Sequence, residues 1–119
     1  MIEEKKLDCG FSLPALGFGT WQMGGRYERN SANDDARDVN GIKNAVKAGI
    51  THFDTAEIYA GGRAEELVAE GIRGFDRKKL FIASKVYWEH LDYKDVIESA
   101  KKSLKRLQTD YLDLYLVHG

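Results

Sequence analysis

A chain of 119 residues with 43% hydrophobic residues and a formal net charge of -1 is sized for one domain around a modest core. So even a charge balance offers no general attraction for nucleic acid or an anionic membrane. No run approaches the roughly 20 apolar residues of a membrane helix. The start, Met1-Ile2-Glu3-Glu4-Lys5-Lys6, is charged where a secretory signal is apolar, and Cys9 is the only cysteine, so no intrachain disulfide forms. A reducing, cytoplasmic setting is therefore expected.

In chain order, Leu7 to Leu13 reads as a small hairpin with Cys9-Gly10 at its centre. Ala15 to Trp21 reads as a buried strand, followed by a Gly-rich, charged loop. Asp34 to Ala48 places Val39, Ile42 and Val46 three and four residues apart, which is helical. Asn33 suits the cap of this helix, Asp34 and Asp35 its first turn, and Gly49 its end. Ile50 to Asp54 is a second strand, Arg63 to Gly74 a second helix, and Leu80 to Val86 a third strand. Asp92 to Gln108 is the clearest helix, with Val96, Ala100, Leu104 and Leu107 on one stripe. Tyr111 to His118 is a fourth strand.

Strands alternating with helices over short connections indicate an α/β fold with a parallel sheet. Polar residues recur near the strand ends, 31 residues from Asp54 to Lys85 and 33 from Lys85 to His118. Gly19 stands one similar period before Asp54. A (β/α)8 TIM barrel produces this spacing, with its reactive side chains at the C-terminal mouth of the strands. Such a barrel takes about 250 residues, so the expectation is its N-terminal half, preceded by a short β-hairpin and truncated after the fourth strand. The alternative is a complete four-stranded open α/β domain. A half barrel would expose two sheet edges, and self-association through them is expected.

Lys85 lies in the apolar run Phe81-Ile82-Ala83-Ser84-Lys85-Val86, where an unpaired ammonium is not tolerated. Asp54, at the end of the neighbouring strand, is its natural partner. Two readings are open, a structural ion pair closing the mouth or a cation with a chemical task. Tyr59 follows Asp54 by five residues. A tyrosine, with a pKa of about 10, is a poor acid near neutrality unless a cation stabilises its phenolate, and Lys85 could be that cation. His118 is either a structural histidine or, at the same mouth, a hydrogen-bond donor to a substrate carbonyl. His52 and His90 lack the spacing of a metal-ligand set, so no metal is expected. Gly24-Gly25 and Gly61-Gly62 match no phosphate-loop pattern and read as flexible loops. Lys101, Lys102, Lys105 and Arg106 read as the solvated face of the third helix. Trp21 and Trp88 are each a core residue or a wall of a substrate pocket.

Over nearly its whole length the chain resembles the aldo-keto reductases. Leu16-Gly17-Phe18-Gly19-Thr20-Trp21 is similar to the family's first strand, and Phe53-Asp54-Thr55-Ala56-Glu57-Ile58-Tyr59 to its Asp-Tyr segment. Ala83-Ser84-Lys85-Val86 is similar to the lysine strand, and Asp110 through His118 to the histidine strand. The resemblance implies reduction of a small-molecule aldehyde or ketone by NADPH, with NAD left open as the alternative cofactor. It implies Tyr59 as general acid, Lys85 and Asp54 as the residues that tune it, and His118 as the group orienting the carbonyl. Gly19, Thr20, Trp21 and Asp54 would meet the nicotinamide riboside end, and Trp21 and Trp88 the substrate. Ala60 departs from the glycine that usually follows the tyrosine. The resemblance also implies that most contacts to the rest of the cofactor come from the second half of the barrel. Two further readings accompany it, a non-catalytic half-barrel and a regulatory binding member of the same family.

Overall fold

The computed structural model describes residues 2–119. It opens with an antiparallel hairpin of β1 (Glu4–Lys6) and β2 (Ser12–Pro14), in register Glu4 with Pro14 and Lys6 with Ser12. The hairpin expected at Leu7 to Leu13 is thus present, but most of that segment is its turn. Leu7 and Phe11 close the turn by a backbone hydrogen bond of 2.8 Å. Gly10 occupies the left-handed region at φ 87°, where glycine is at ease.

The body of the chain is a parallel sheet of β3 (Gly17–Gly19), β4 (His52–Asp54), β5 (Phe81–Tyr87) and β6 (Leu114–His118). Its spatial order is the chain order, β3-β4-β5-β6. Between the strands run α1 (Asp35–Lys47), α2 (Arg63–Ile72) and α3 (Tyr93–Leu107). Right-handed crossovers between sequentially ordered parallel strands place every helix on one side of the sheet. The core bears this out. Phe18, Phe53 and Ile82 point from β3, β4 and β5 into one cluster with Ile42 of α1, Val68 and Ile72 of α2, and Leu107 of α3. An open doubly wound sheet reverses its strand order and covers both faces. This sheet does neither, and is a segment of a (β/α)8 barrel that is not closed.

Helix limits differ from the sequence expectation by a residue or two. Asp34, not Asn33, caps α1, accepting the N–H of Arg37 at 3.0 Å. Asn33 uses its amide on the carboxylates of Asp35 and Asp38 instead. Strand β6 starts at Leu114, not at Tyr111, because Arg77 captures the intervening segment. Its guanidinium donates to the Tyr111 carbonyl at 2.8 Å and to Asp113 Oδ2 at 3.0 Å. The inner line of α3 is Ser99, Ser103 and Leu107. Ser103 Oγ accepts from the Arg106 guanidinium at 3.4 Å.

Candidate active site

Side chains alternate across a strand, so residues on the opposite face from Phe53 and Ile82 look into the unclosed barrel. Asp54 and Lys85 are two of them, from adjacent strands near their C-terminal ends. Lys85 Nζ lies 2.8 Å from Asp54 Oδ1, 2.8 Å from the Thr55 carbonyl oxygen and 3.4 Å from Tyr59 Oη. An ammonium has three N–H donors, and each has an oxygen here. That satisfies a charge the strand otherwise buries.

Tyr59 reaches Lys85 because the backbone turns sharply after β4. Residues Tyr59–Gly62 form a tight 3-10 turn with Ala60 at φ 52° and Gly61 at φ 62°. A β-carbon at positive φ is strained, and Ala60 keeps that conformation through its N–H, which donates to the Arg26 carbonyl at 2.5 Å. The phenol is folded inward and buried. His118, at the end of β6, sets its ring 5.5 Å from that of Tyr59 and nearly perpendicular to it. Burial and the neighbouring Lys85 charge lower the His118 pKa, with Asp54 and Glu57 opposing more weakly. Both lowering effects favour the neutral imidazole. The four residues singled out by their spacing thus converge at one mouth.

Thr20 locks the end of β3 to β4, its N–H and Oγ1 both donating to the Asp54 carbonyl at 3.1 and 3.0 Å. Gly19 pairs in register with Asp54, and a β-carbon there would meet nothing within 4 Å. The backbone beside Asp54 is therefore open to a flat group, and the carboxylate itself is partly exposed. Trp21 sets its ring 5.1 Å from Tyr59. Trp88 is 54% exposed, its ring tilted against that of Tyr87 at 5.4 Å. His52 faces the Pro14 carbonyl of the hairpin at 3.3 Å, and His90 pairs with Glu57 at 2.5 Å. Neither belongs to a group of possible metal ligands among the described residues.

One expectation is corrected. Arg106 is not on a solvated face, since it turns inward to donate to Glu65 Oε2 at 2.6 Å. Glu65 is fully buried on α2 and also accepts from Ser84 Oγ at 2.6 Å. Ser84 neighbours Lys85 but points to the helix side, so this second polar network backs the strand that carries the lysine. Glu65 stands in helical step with Val68, Ala69 and Ile72, the one signal in the sequence that could have marked it as buried, whereas Glu66 beside it is half-buried. Tyr115 of β6 also faces this layer, where burial and the carboxylates of Glu57 and Glu65 push its phenol up to about 12.

A model of the aldo/keto reductase family matches residues 15–119. Methylglyoxal reductase YeaE of Escherichia coli (strain K12) is 44% identical over 107 residues, which cover 90% of this chain and 36% of YeaE. The crystal structure of the thermostable aldo-keto reductase Tm1743 with the inhibitor epalrestat superposes with a TM-score of 0.93 at 47% identity, covering 98% of this chain and 43% of that one. An aldo-keto reductase from Klebsiella pneumoniae in complex with NADPH gives a TM-score of 0.83 at 38% identity, covering 99% and 39%. The chain thus spans little more than a third of the length of YeaE.

Proposed function

The chain belongs to the aldo/keto reductase family, and on that premise we propose that residues 1–119 are the acid-bearing half of an NADP-dependent carbonyl reductase. One observation carries the reading. Lys85 Nζ bridges Asp54 and Tyr59, leaving the phenol oxygen 3.4 Å from a cation that is itself anchored by a carboxylate. When the phenol gives its proton to a carbonyl oxygen, negative charge develops beside that ammonium and is stabilised there. A mere structural ion pair would need no tyrosine hydroxyl at its third N–H.

Gly19, Thr20, Trp21 and Asp54 are the residues that would hold the nicotinamide end. The open space above Gly19 and the exposed edge of Asp54 fit a flat ring and a ribose hydroxyl. When bound, the nicotinamide supplies hydride to the carbonyl carbon. NADP is preferred to NAD because a neighbour of this fold was crystallised with NADPH. Asp54 keeps Lys85 in place, Lys85 supports the charge on Tyr59, and Tyr59 moves the proton. Neutral His118 donates an N–H to the same carbonyl oxygen and orients it. Small aldehydes and ketones are the substrate class, in keeping with the similarity to a methylglyoxal reductase. No helix among the described residues is long and apolar enough to cross a membrane.

The test is Tyr59→Phe in a complete barrel that contains this segment. Loss of the general acid lowers kcat by roughly 10²- to 10⁴-fold, while NADPH affinity by fluorescence titration stays close to that of the parent. A loss below about tenfold removes Tyr59 from the role of acid.

A further inference from the structure

The loop from Gln22 to Asn33 reads in sequence as Gly-rich and flexible, yet it is tied at three places. Within it, Gly25 and Arg29 form an antiparallel bridge, and the Asn30 N–H donates to the Gly24 carbonyl at 2.8 Å. Gly25 is required, because a β-carbon there would collide with the Glu28 carbonyl oxygen. Gly24 N–H donates to Asp38 Oδ2 at 3.2 Å, which fastens the loop to α1. Its tip is strapped to the turn that carries Tyr59, since Ala60 N–H donates to the Arg26 carbonyl and Gly61 N–H to the Tyr27 carbonyl at 3.0 Å.

Tyr27 is therefore an aromatic residue on a fixed backbone, with its side chain in the open. It is 65% exposed. Its ring centroid lies 4.8 Å from Trp21, and that of Trp21 lies 5.1 Å from Tyr59. Both contacts are edge-to-face, so the three rings make a row that leads outward from the phenol. A large apolar ring left in water is unfavourable unless something covers it. Here the strap holds it beside the mouth, where a substrate would pass.

We propose that Tyr27 is a specificity-determining residue, the outer wall of the substrate channel, and that it favours carbonyl compounds bearing a flat apolar group such as an aryl ketone or aldehyde. The proposal rests on the reading of Tyr59 as the group that receives the carbonyl oxygen. A carbonyl oxygen at Tyr59 directs its aryl substituent along the row toward Trp21 and Tyr27. A two- or three-carbon substrate ends before Tyr27 and gains nothing from it. Aromatic contacts of this kind change affinity by about three- to tenfold.

The experiment uses the 119-residue chain with carbon-13-labelled tyrosine and tryptophan rings, titrated with acetophenone and with acetone. Acetophenone saturably shifts the ring signals of Tyr27, Trp21 and Tyr59, and acetone leaves Tyr27 unmoved. Tyr27→Ala raises the acetophenone Kd by about three- to tenfold, whereas Tyr27→Phe, which keeps the ring, retains the parent affinity. An unchanged Kd in Tyr27→Ala, shifts confined to other parts of the chain, or no saturable binding would each overturn the proposal. Backbone amide spectra show whether each variant keeps the fold, and the Tyr27 ring signal of the unaltered chain, moved by acetophenone and not by acetone, gives an answer even if the alanine variant loses it. Tyr59→Phe in a complete barrel separates the two readings. Undiminished turnover there removes the acid assignment and leaves the measured role of Tyr27 in binding as it stands.

Discussion

Lys85 directs its three N–H donors to a carboxylate, a backbone carbonyl and a phenol. Replacing it by methionine keeps most of the volume and removes all three bonds. Hydrogen bonds to a charged group contribute about 1.5–3 kcal/mol, and the part-exposed Asp54 can recover some of that from water. Stability in Lys85→Met is therefore expected to fall by only about 1–2 kcal/mol in urea denaturation. Turnover in a complete barrel should fall far more, by about 10²-fold or beyond. Parallel small losses in both would return the lysine to a purely structural part. His118 gives a pH signature. Its pKa is lowered in the folded chain by burial and by Lys85, so the unfolded chain binds that proton first as pH falls. The stability it contributes is full above its ordinary value near 6.5 and is lost as pH drops through the lowered folded value. His118→Asn should flatten the decline in stability from pH 7.5 toward pH 5. An unaltered slope would show that other groups set it.

At the level of elements, α1 and α2 meet through a glycine. A β-carbon on Gly71 would stand 2.5 Å from Ile42 Cγ2 and 2.6 Å from Ile42 Cβ. Ile42 is fully buried and has no room to withdraw. Alanine is the better helix former by about 1 kcal/mol, but overpacking a tight contact costs about 1–3 kcal/mol. The second effect wins, so Gly71→Ala is expected to lower stability by roughly 1 kcal/mol, read as a lower urea midpoint. A higher midpoint would mean that the two helices pack more loosely than this. The same pair shows what the sequence reveals and what it hides. Val39, Ile42 and Val46 announce α1 by their spacing, and the short apolar runs announce the strands, because burial on one face imposes a period. Asp54, Lys85 and His118 are legible for a related reason, since parallel strands of one barrel bring their ends to one mouth at a regular interval. The pairing of Arg106 with Glu65 is not legible. It spans 41 residues and joins two helices, and Arg106 lies among lysines that do face water. Tyr27 escapes notice too, as a single aromatic in a polar loop whose rigidity comes from backbone bonds to Arg26 and Tyr27 rather than from side-chain type. The hairpin strands are displaced because Lys5 and Lys6 give no apolar alternation for a period to register.

The whole molecule has a sheet with two ends. Strands β3 and β6 each pair on one side only, and unpaired N–H and C=O groups along a strand are a template for another chain. Leu116 and Val117 of β6 are exposed, Val117 at 63%, and Leu16 before β3 is exposed as well. In a closed barrel such edges vanish and inward side chains pack in layers. We therefore expect the 119-residue polypeptide by itself to self-associate into a dimer or larger assembly through these edges and their apolar borders. Pairing two copies would cover edges without supplying new kinds of residue. The groups proposed above to meet a cofactor, Gly19, Thr20, Trp21 and Asp54, include no cation that could pair with a pyrophosphate or a 2′-phosphate. A phosphate-rich dinucleotide owes much of its affinity to charged hydrogen bonds with those phosphates. NADPH affinity of the polypeptide alone should accordingly be weak or absent, whatever its assembly state. Light scattering across a concentration series, with a fluorescence titration of NADPH on the same samples, checks both parts. A stable monomer that binds NADPH at micromolar concentration would contradict both, and would place the main cofactor contacts within these 119 residues.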